Sequence, residues 1–419
     1  MPPGRPRGVY LLLGFVMNLM LGTAYAWSVF TGPLQREFGA TSFSAMLPFA
    51  VQLALFSVGM VFAGRLVDKH GPRRVAMLGG LLVGAGYLLS SLMDRVPWPI
   101  EWLTITYGVV VGLGIGFAYN PPIPTAGRWF PDRRGLATGL VVMGFGLSPL
   151  ITAPLIEYLI PAYGVPSTFL ILGLVFLVVL VTLGSLLRFP AADWKAPAPA
   201  PKASKRTWTP LSEVDTKSML RTPAFWAAWL LYVLGTAGGF MVIGKAKPIA
   251  AEIGLATGIW ATAAVQILAV FNSSGRPLFG RVADVYGPKR TLLLMYVVLL
   301  GAMALLSATS AIVPLYIGIG ITGMVFGGFL AVMPAITTYF FGAKNLGSNY
   351  GFMFTGYGSG AIVALFAIGW IRDLSGTYVP AFWIGIVLSM IGLFLSLQVK
   401  PPRPTAARTG EPPRKPVRA

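Results

Sequence analysis

Arg276 and Asn272 are the residues of this chain best placed to do chemistry, because they lie four residues apart in a long apolar run. Residues at i and i+4 share one face of a helix, so the guanidinium and the amide could contact one ligand. A carboxylate fits this pair, because it accepts two parallel hydrogen bonds from an arginine and a further one from an amide. The nearest acidic residue before Arg276 is Glu252, which leaves an anionic ligand as the natural partner of the charge. The alternative is that Arg276 only extends its charge to a membrane surface.

The composition indicates that a lipid bilayer surrounds these residues. Hydrophobic residues make up 55% of the chain and charged residues 11%, which is not the balance of a soluble protein. A bare guanidinium in hydrocarbon costs roughly 3 kcal/mol, so it normally faces a bundle interior or a wet cavity. Twelve apolar runs are long enough to cross a bilayer, and each must be a helix to satisfy its backbone in lipid. The runs lie near 10–32, 44–66, 73–94, 101–126, 134–160, 165–188, 223–250, 258–281, 289–308, 313–341, 346–371 and 378–399.

The positive charges follow alternate loops of this twelve-helix prediction. The net charge is +19, but its distribution favours a membrane topology over nucleic-acid binding. By the positive-inside rule the basic loops and both termini are cytoplasmic, in a multi-pass protein of the plasma (inner) membrane. The first apolar run has no small-residue cleavage site, so we interpret it as the first helix and not as a removed signal peptide.

An internal repeat divides the chain into two halves. The segment from Gly64 to Arg74 aligns without a gap with the segment from Gly280 to Arg290, at an offset of 216. Each segment follows the second helix of its half and resembles a signature of the major facilitator superfamily. This resemblance implies an all-α membrane fold of twelve transmembrane helices in two parallel six-helix repeats. The predicted division is a bundle at 1–189, a cytoplasmic linker at 190–222, a second bundle at 223–399 and a basic tail at 400–419.

Each repeated segment contains an acid and a base that could form a conformational latch. The first segment contains Asp68 and Arg73, and the second contains Asp284 and Lys289. An ion pair across such a turn would lock one conformation of a transporter. The same residues also serve as ordinary positive-inside anchors.

The predicted eighth helix points to a narrower group. The pattern of Asn272, Gly275, Arg276, Gly280 and Asp284 resembles that of oxalate/formate antiporter-like proteins and monocarboxylate transporters, as does the segment 22–30 in the first helix. In that group the arginine of the eighth helix binds the substrate carboxylate, which the resemblance implies for Arg276. The oxalate carriers have a lysine in their eleventh helix where this chain has Tyr357. A single buried cation suits a monoanion such as L-lactate, pyruvate or a similar short acid.

Four further residues are candidates for the substrate site. Tyr119 and Asn120 immediately precede prolines that interrupt the fourth helix, and a broken helix often borders a transporter site. The resemblance also places a tyrosine of the fourth helix near the carboxylate. Tyr357 and Phe329 could line the apolar part of the pocket, although both could be ordinary packing residues. Tyr25 receives less weight, because aromatic residues near a helix end usually form an interfacial belt.

The mode of coupling is open from sequence. The resemblance to monocarboxylate transporters implies proton symport, for which Glu252 is the candidate proton carrier. If no embedded acid titrates, carboxylate exchange is the alternative. Lys245 and Lys247 could draw anions to the outer mouth, or they could simply reach the interface. The predicted partners are a small organic anion, a proton and the bilayer, with no nucleic acid and no cofactor, and the chain should work as a monomer.

Functions of other classes receive less support. An intramembrane enzyme needs a nucleophile with a base or a metal cluster, and this chain has one loop histidine, His70, and no cysteine. A transporter-like sensor would usually carry a signalling domain, whereas the linker and tail are short and low in complexity. A drug or cation exporter would be expected to embed an acid. Secondary transport of a small monocarboxylate is therefore the predicted function.

Overall fold

The computed structural model describes residues 6–130, 134–191, 194, 213–253, 257–342 and 345–402, and the described residues form helices joined by short turns. Most of the predicted linker and tail lies outside them. We label the long helices α1 to α12. In the first half, α1 consists of Arg7–Leu21, Gly22–Ala26 and Ser28–Phe38, α2 is Leu47–His70, α3 is Pro72–Ser90, α4 consists of Pro99–Leu103, Thr104–Val111, Gly112–Tyr119 and Pro122–Trp129, and α5 and α6 are residues 134–163 and 165–186.

The second half has the same number of long helices. In order they are α7 at Pro223–Ile243 with a short continuation at Ala246–Ile253, α8 at Gly258–Tyr286, α9 at Pro288–Ala308, α10 at Ile312–Phe341, α11 at Leu346–Ser375 and α12 at Val379–Gln398. A short helix, Thr216–Leu220, precedes α7.

The helices account for the twelve predicted spans. Within the described residues, 9 segments are apolar and long enough to cross a membrane by length and composition. One of these, Ala137–Leu186, contains both α5 and α6, which are separated by the turn at Gly164. The remaining two spans are α3 and α8, which carry charged residues. The all-α membrane fold predicted from sequence is confirmed.

Two glycines make the repeat visible in the backbone. Gly71 ends α2 with φ 79°, and Gly287 ends α8 with φ 92°. These positive φ values favour glycine over any residue with a Cβ atom. The two positions are related by the offset of the sequence repeat, so the same turn joins the second helix of each half to the third.

The helix α4 is interrupted, as its prolines predict. One segment ends at Tyr119 and the next begins at Pro122, so Asn120 lies at the break. Upstream, residues Thr104–Val111 form a π-helical stretch, which the sequence did not reveal. Stretches of this kind are common near functional sites.

We name the two ends of the helix bundle by their charges. The basic face contains the α2–α3 and α8–α9 turns, with Arg65, Lys69, Arg73, Arg74, Arg281, Lys289 and Arg290. The opposite face contains the α1–α2, α5–α6, α7–α8 and α11–α12 turns, with Arg36, Glu157, Lys247, Glu252 and Asp373 near them.

Small residues bring the two halves close together near the centre. A Cβ atom on Gly358 of α11 would lie 2.1 Å from the Ser57 Oγ of α2. A Cβ atom on Gly146 of α5 would lie 2.6 Å from the Ser273 Oγ of α8. Close approach through small residues is the usual way in which membrane helices pack. Because α5 contacts α8 at this point, the face of α8 that carries Arg276 lies between the two halves.

Candidate functional site

Arg276 is buried inside α8, with 4% of its surface exposed. It precedes the basic end of the helix by ten residues, or about 15 Å at the helical rise. Its Nη1 donates to the carbonyl oxygen of Val142 in α5. The side chain is therefore directed at the other half of the protein, and the alternative that it reaches the membrane surface does not describe this structure.

Several polar atoms around the guanidinium have no hydrogen-bond partner among the described residues. They are Nε and Nη2 of Arg276 and both amide atoms of Asn272, a residue that is completely buried. An unpartnered buried polar group costs about 1–3 kcal/mol. These atoms lie on one helix face, as the sequence predicts, and a bound carboxylate would accept hydrogen bonds from the guanidinium and from the amide nitrogen of Asn272.

Glycines fix the orientation of this face. A Cβ atom on Gly275 would lie 1.9 Å from the carbonyl oxygen of Met324 in α10, and one on Gly327 would lie 1.9 Å from that of Asn272. The backbones of α8 and α10 therefore touch, while the Arg276 side chain of α8 contacts α5. On that side, a Cβ atom on Gly146 would lie 3.3 Å from Arg276 Nη2, so the absence of a side chain leaves room beside the guanidinium.

A pair of tyrosines joins the two halves beside this polar face. The hydroxyls of Tyr25 in α1 and Tyr357 in α11 are 2.7 Å apart, and both residues are buried. Both lie within electrostatic range of Arg276. These two phenols add hydrogen-bonding capacity near the cation without adding charge.

Aromatic rings enclose the tyrosine pair. The ring of Tyr357 lies 4.7 Å from Phe354, 5.8 Å from Phe56 and 6.1 Å from Phe326, measured between centroids. The Tyr25 ring lies 4.9 Å from Phe145. The arrangement combines one cation with an apolar lining drawn from both halves. It suits a small organic anion whose carboxylate meets Arg276 and whose short apolar group meets the rings.

Polar contacts also join the halves at the opposite face. Lys247 forms an ion pair with Glu157, whose Oε2 also accepts a hydrogen bond of 3.1 Å from Thr262. The Asp373 carboxylate accepts bonds of 3.0 and 2.9 Å from the backbone N–H groups of Ser42 and Phe43. These contacts close the opposite face over the central site.

Comparison with known proteins identifies the family of this chain. The sequence profile of the Major Facilitator Superfamily matches the chain twice, at residues 11–312 and 246–419. The chain belongs to this superfamily.

Relatives within the Major Facilitator Superfamily include transporters of small anions. The chain is 29% identical to the oxalate:formate antiporter of Oxalobacter formigenes over 98% of this chain and 94% of that protein. It is 26% identical to human monocarboxylate transporter 14, over 92% of this chain and 88% of that one. A solved bacterial homologue of the human lysosomal transporter Spinster superposes with a TM-score of 0.72, covering 95% of this chain and 97% of its own at 13% identity. That last similarity establishes the superfamily fold alone.

The other predicted site residues of this superfamily member lie at different distances from the centre. Tyr119 packs against Phe56 and Phe145 and lies within electrostatic range of Arg276, so it belongs to the central cluster. The Asn120 amide instead contacts the sulfur of Met60 in α2 at 3.8 Å. Asn120 therefore faces α2.

Phe329 packs within the second half and away from the tyrosine pair. Its ring lies 5.4 Å from that of Tyr296 in α9 and fills the space over Gly235 in α7. Phe326, one turn earlier on α10, contacts both Tyr25 and Tyr357 instead. Phe326, and not Phe329, is the α10 ring that contacts the tyrosine pair.

Glu252, the candidate proton carrier, is held at the opposite face. Its Oε2 lies 2.7 Å from the Nε of Arg372, and its Oε1 accepts a 3.0 Å hydrogen bond from the backbone of Tyr378. All of these groups belong to the second half. The structure therefore gives Glu252 a fixed structural partner.

The predicted latch residues lie at the basic face. The side chain of Asp68 is outside the described residues. Arg73 and Asp284 are exposed, and within the described part of the chain neither forms an ion pair. Lys289 donates 3.2 Å to the carbonyl oxygen of Leu397. A latch between these residues stays a prediction.

Sequence reasoning gave little weight to some central residues. Tyr25 was interpreted as part of an outer belt, yet it is buried beside Tyr357. Ser273, one residue after Asn272, donates to the Met143 carbonyl oxygen at 3.4 Å and was not considered. The available signal for Ser273 was its position three residues before Arg276, which places it on the same helix face.

Proposed function

We propose that this protein transports small monocarboxylates, such as L-lactate or pyruvate, across the membrane by alternating access. One observation carries the proposal: a buried guanidinium between the two halves keeps Nε and Nη2 free beside the unpartnered amide of Asn272. A carboxylate bound there would neutralise the charge and satisfy these donors. The names of its relatives, which include monocarboxylate transporters and an oxalate:formate antiporter, support this substrate class.

The charge at the centre favours a monoanion. Arg276 is the cation near the tyrosine pair, and the position that the resemblance assigns to a second cation holds Tyr357. A dicarboxylate would leave one negative charge without a partner in an apolar enclosure, which is costly. The aromatic lining also suits a short methyl or similar apolar group.

The charge distribution supports an orientation. We propose that the basic face is cytoplasmic, in a plasma (inner) membrane, and that the opposite face is external. Under this proposal residues 1–189 and 223–399 form the two bundles that rock about Arg276, with the linker 190–222 and the tail 400–419 in the cytoplasm. The transport unit is one chain.

The geometry favours exchange over proton symport. Symport needs an acid that titrates on the substrate path, and Glu252 is already engaged by Arg372 and Tyr378. Glu157 lies six residues before the end of α5 and is paired with Lys247, and the other acids of the described residues lie at or near helix ends. Carboxylate exchange needs no proton site, and a similarity to an antiporter over 98% of this chain also supports it. Symport with Glu252 as carrier is the second candidate, supported by the similarity to monocarboxylate transporters.

Uptake into proteoliposomes tests both proposals. Labelled L-lactate and labelled oxalate are offered to vesicles that contain wild type, Arg276→Met or the control Arg281→Met, an exposed arginine on the same helix. We expect wild type and the control to take up L-lactate in preference to oxalate, and Arg276→Met to lose uptake. Uptake by Arg276→Met at the wild-type rate would overturn the assignment.

The same vesicles separate the two couplings. Uptake that requires an internal carboxylate identifies exchange. Uptake into empty vesicles that an inward proton gradient accelerates identifies symport, and its loss in Glu252→Gln would then identify the proton carrier.

A further inference from the structure

A cavity at the external face is lined by Lys247 and Glu157, the ion pair that joins the two halves there. Its volume is about 260 Å³, and its lining comes from both halves. Ser28 and Arg36 of α1 and Glu157 of α5 contribute from the first half, and Lys247 and Ala251 contribute from the second. We call it the outer cavity. Glu157 lies eleven residues along α5 from Gly146, which neighbours Arg276, so about 16 Å of helix separates the two levels.

The charged residues of the outer cavity do not balance. Lys247 and Arg36 are positive, and Glu157 is the one acid in the lining. Lys247 is paired with Glu157, and their side chains are 23% and 33% exposed. Within the described residues Arg36 forms no ion pair. The cavity therefore retains one net positive charge, which attracts a monoanion.

A hydroxyl in the cavity wall also lacks a partner. Ser28 lines the cavity and is 1% exposed, and its Oγ forms no hydrogen bond with the described residues. Its own carbonyl oxygen accepts the Thr31 hydroxyl, so Thr31 does not satisfy it. A ligand that supplies the missing bond would remove the cost of leaving this buried hydroxyl unpaired.

We propose that the outer cavity is a second carboxylate subsite, in which a small monocarboxylate replaces Glu157 as the partner of Lys247 and accepts a hydrogen bond from Ser28. The identity of the ligand rests on the proposed function. With the substrate bound, the cavity holds two carboxylates against Lys247 and Arg36, so its charges balance. The displaced Glu157 carboxylate keeps its bond from Thr262 and is partly solvated, because its side chain is 33% exposed.

This exchange would couple arrival of the substrate to opening. The bond from Lys247 to Glu157 joins α7 to α5, and therefore one half of the protein to the other. A substrate carboxylate bound to Lys247 is not attached to the other half, so it cannot join the two halves as Glu157 does. Loading of the outer cavity thus removes a tie between the halves on the side from which the substrate comes.

The experiment uses the absence of cysteine from this chain. A single cysteine is placed in the cavity wall by Ala251→Cys, in a background of Arg276→Met that disables the central site. Intact cells are treated with a membrane-impermeant maleimide, with sodium L-lactate or with sodium chloride at equal ionic strength. We expect L-lactate to slow labelling while chloride does not, because the outer subsite binds without Arg276.

Two further variants identify the binding groups. Lys247→Gln should raise the half-protecting concentration of L-lactate tenfold or more, since a charged hydrogen-bond partner is lost. Glu157→Gln should lower it about twofold to fivefold, because a competing, partly exposed carboxylate is removed. If Lys247 only closes the face, both variants should speed labelling of the introduced cysteine. L-lactate should then fail to slow labelling in either variant or in the parent protein, and this result would overturn the subsite.

The outcomes separate this proposal from the proposed function. Transport by the wild type without any protection of Cys at position 251 would overturn the subsite and leave the function intact. Protection without transport would support the subsite and overturn the function. Labelling that requires permeabilised cells would place the cavity on the wrong side and overturn its role in uptake.

Discussion

Replacing Arg276 by methionine should make the empty protein more stable and at the same time abolish carboxylate binding at the central site. A buried guanidinium costs roughly 3 kcal/mol on insertion scales. Its hydrogen bond to Val142 returns about 1.5 kcal/mol. The difference predicts a gain of about 1 to 2 kcal/mol in the free energy of unfolding for Arg276→Met, because methionine fills a similar length without charge.

The loss of binding should be much larger than this gain. Removal of one partner from a buried, hydrogen-bonded charge pair costs about 2–5 kcal/mol. At about 1.4 kcal/mol for each factor of ten, affinity for L-lactate should fall between about 30-fold and about 4,000-fold.

Thermal unfolding of the purified protein, with and without sodium L-lactate, measures both effects. L-lactate should raise the midpoint of the wild type and of the control Arg281→Met. The midpoint of Arg276→Met should start higher and respond much less to L-lactate than that of the wild type, because only the outer cavity would still bind it. A variant that starts lower than wild type and responds as strongly would refute the reasoning, because Arg276 would then be a structural residue.

Three further predictions concern the packing around the arginine. Tyr357→Phe leaves the Tyr25 hydroxyl without its bond, so the thermal midpoint should fall by the equivalent of about 1–3 kcal/mol; an unchanged midpoint would show that the bond contributes nothing. Gly146→Ala places a methyl group against the guanidinium, so titration calorimetry should show weaker L-lactate binding to a folded protein, and wild-type affinity would contradict this. Gly327→Ala places a Cβ atom 1.9 Å from a backbone oxygen of α8, so size-exclusion chromatography should show little folded protein, whereas Gly301→Ala, with no atom within 4 Å, should behave as wild type.

The sequence was sufficient for features that depend on local chemistry. The spans follow from runs of apolar residues, and the turn at Gly71 follows from a motif that recurs at Gly287. The break at Asn120 follows from the prolines after it. Each of these features is decided within a few residues of the chain, so no long-range contact was needed to predict it.

The sequence alone could not predict which phenylalanine of α10 contacts the tyrosine pair. The helix α10 is apolar on nearly every side, so its sequence contains no polar face that would show how it is rotated. A choice between Phe329 and Phe326 is a choice between adjacent turns of such a helix. Contacts with Tyr25 and Tyr357, from two other helices, decide it.

The role of Glu252 depended on a distant residue. A carboxylate at a helix end could be solvated, titrating or paired, and the sequence near Glu252 does not distinguish these states. Its partner Arg372 lies 120 residues later, at the end of α11. Only the packing of α7 beside α11 and α12 brings the two charges together.

The bond from Arg276 to Val142 gives the exchange proposal a physical basis. It joins α8 to α5, so in the empty protein the same guanidinium that would bind substrate ties one half to the other. Reorientation of the empty protein must break this bond and move an unneutralised charge through an apolar enclosure. A bound carboxylate neutralises the charge, so the loaded protein should reorient faster than the empty one. A carrier with that asymmetry returns mainly when it is loaded, and this favours exchange of one carboxylate for another over net uptake.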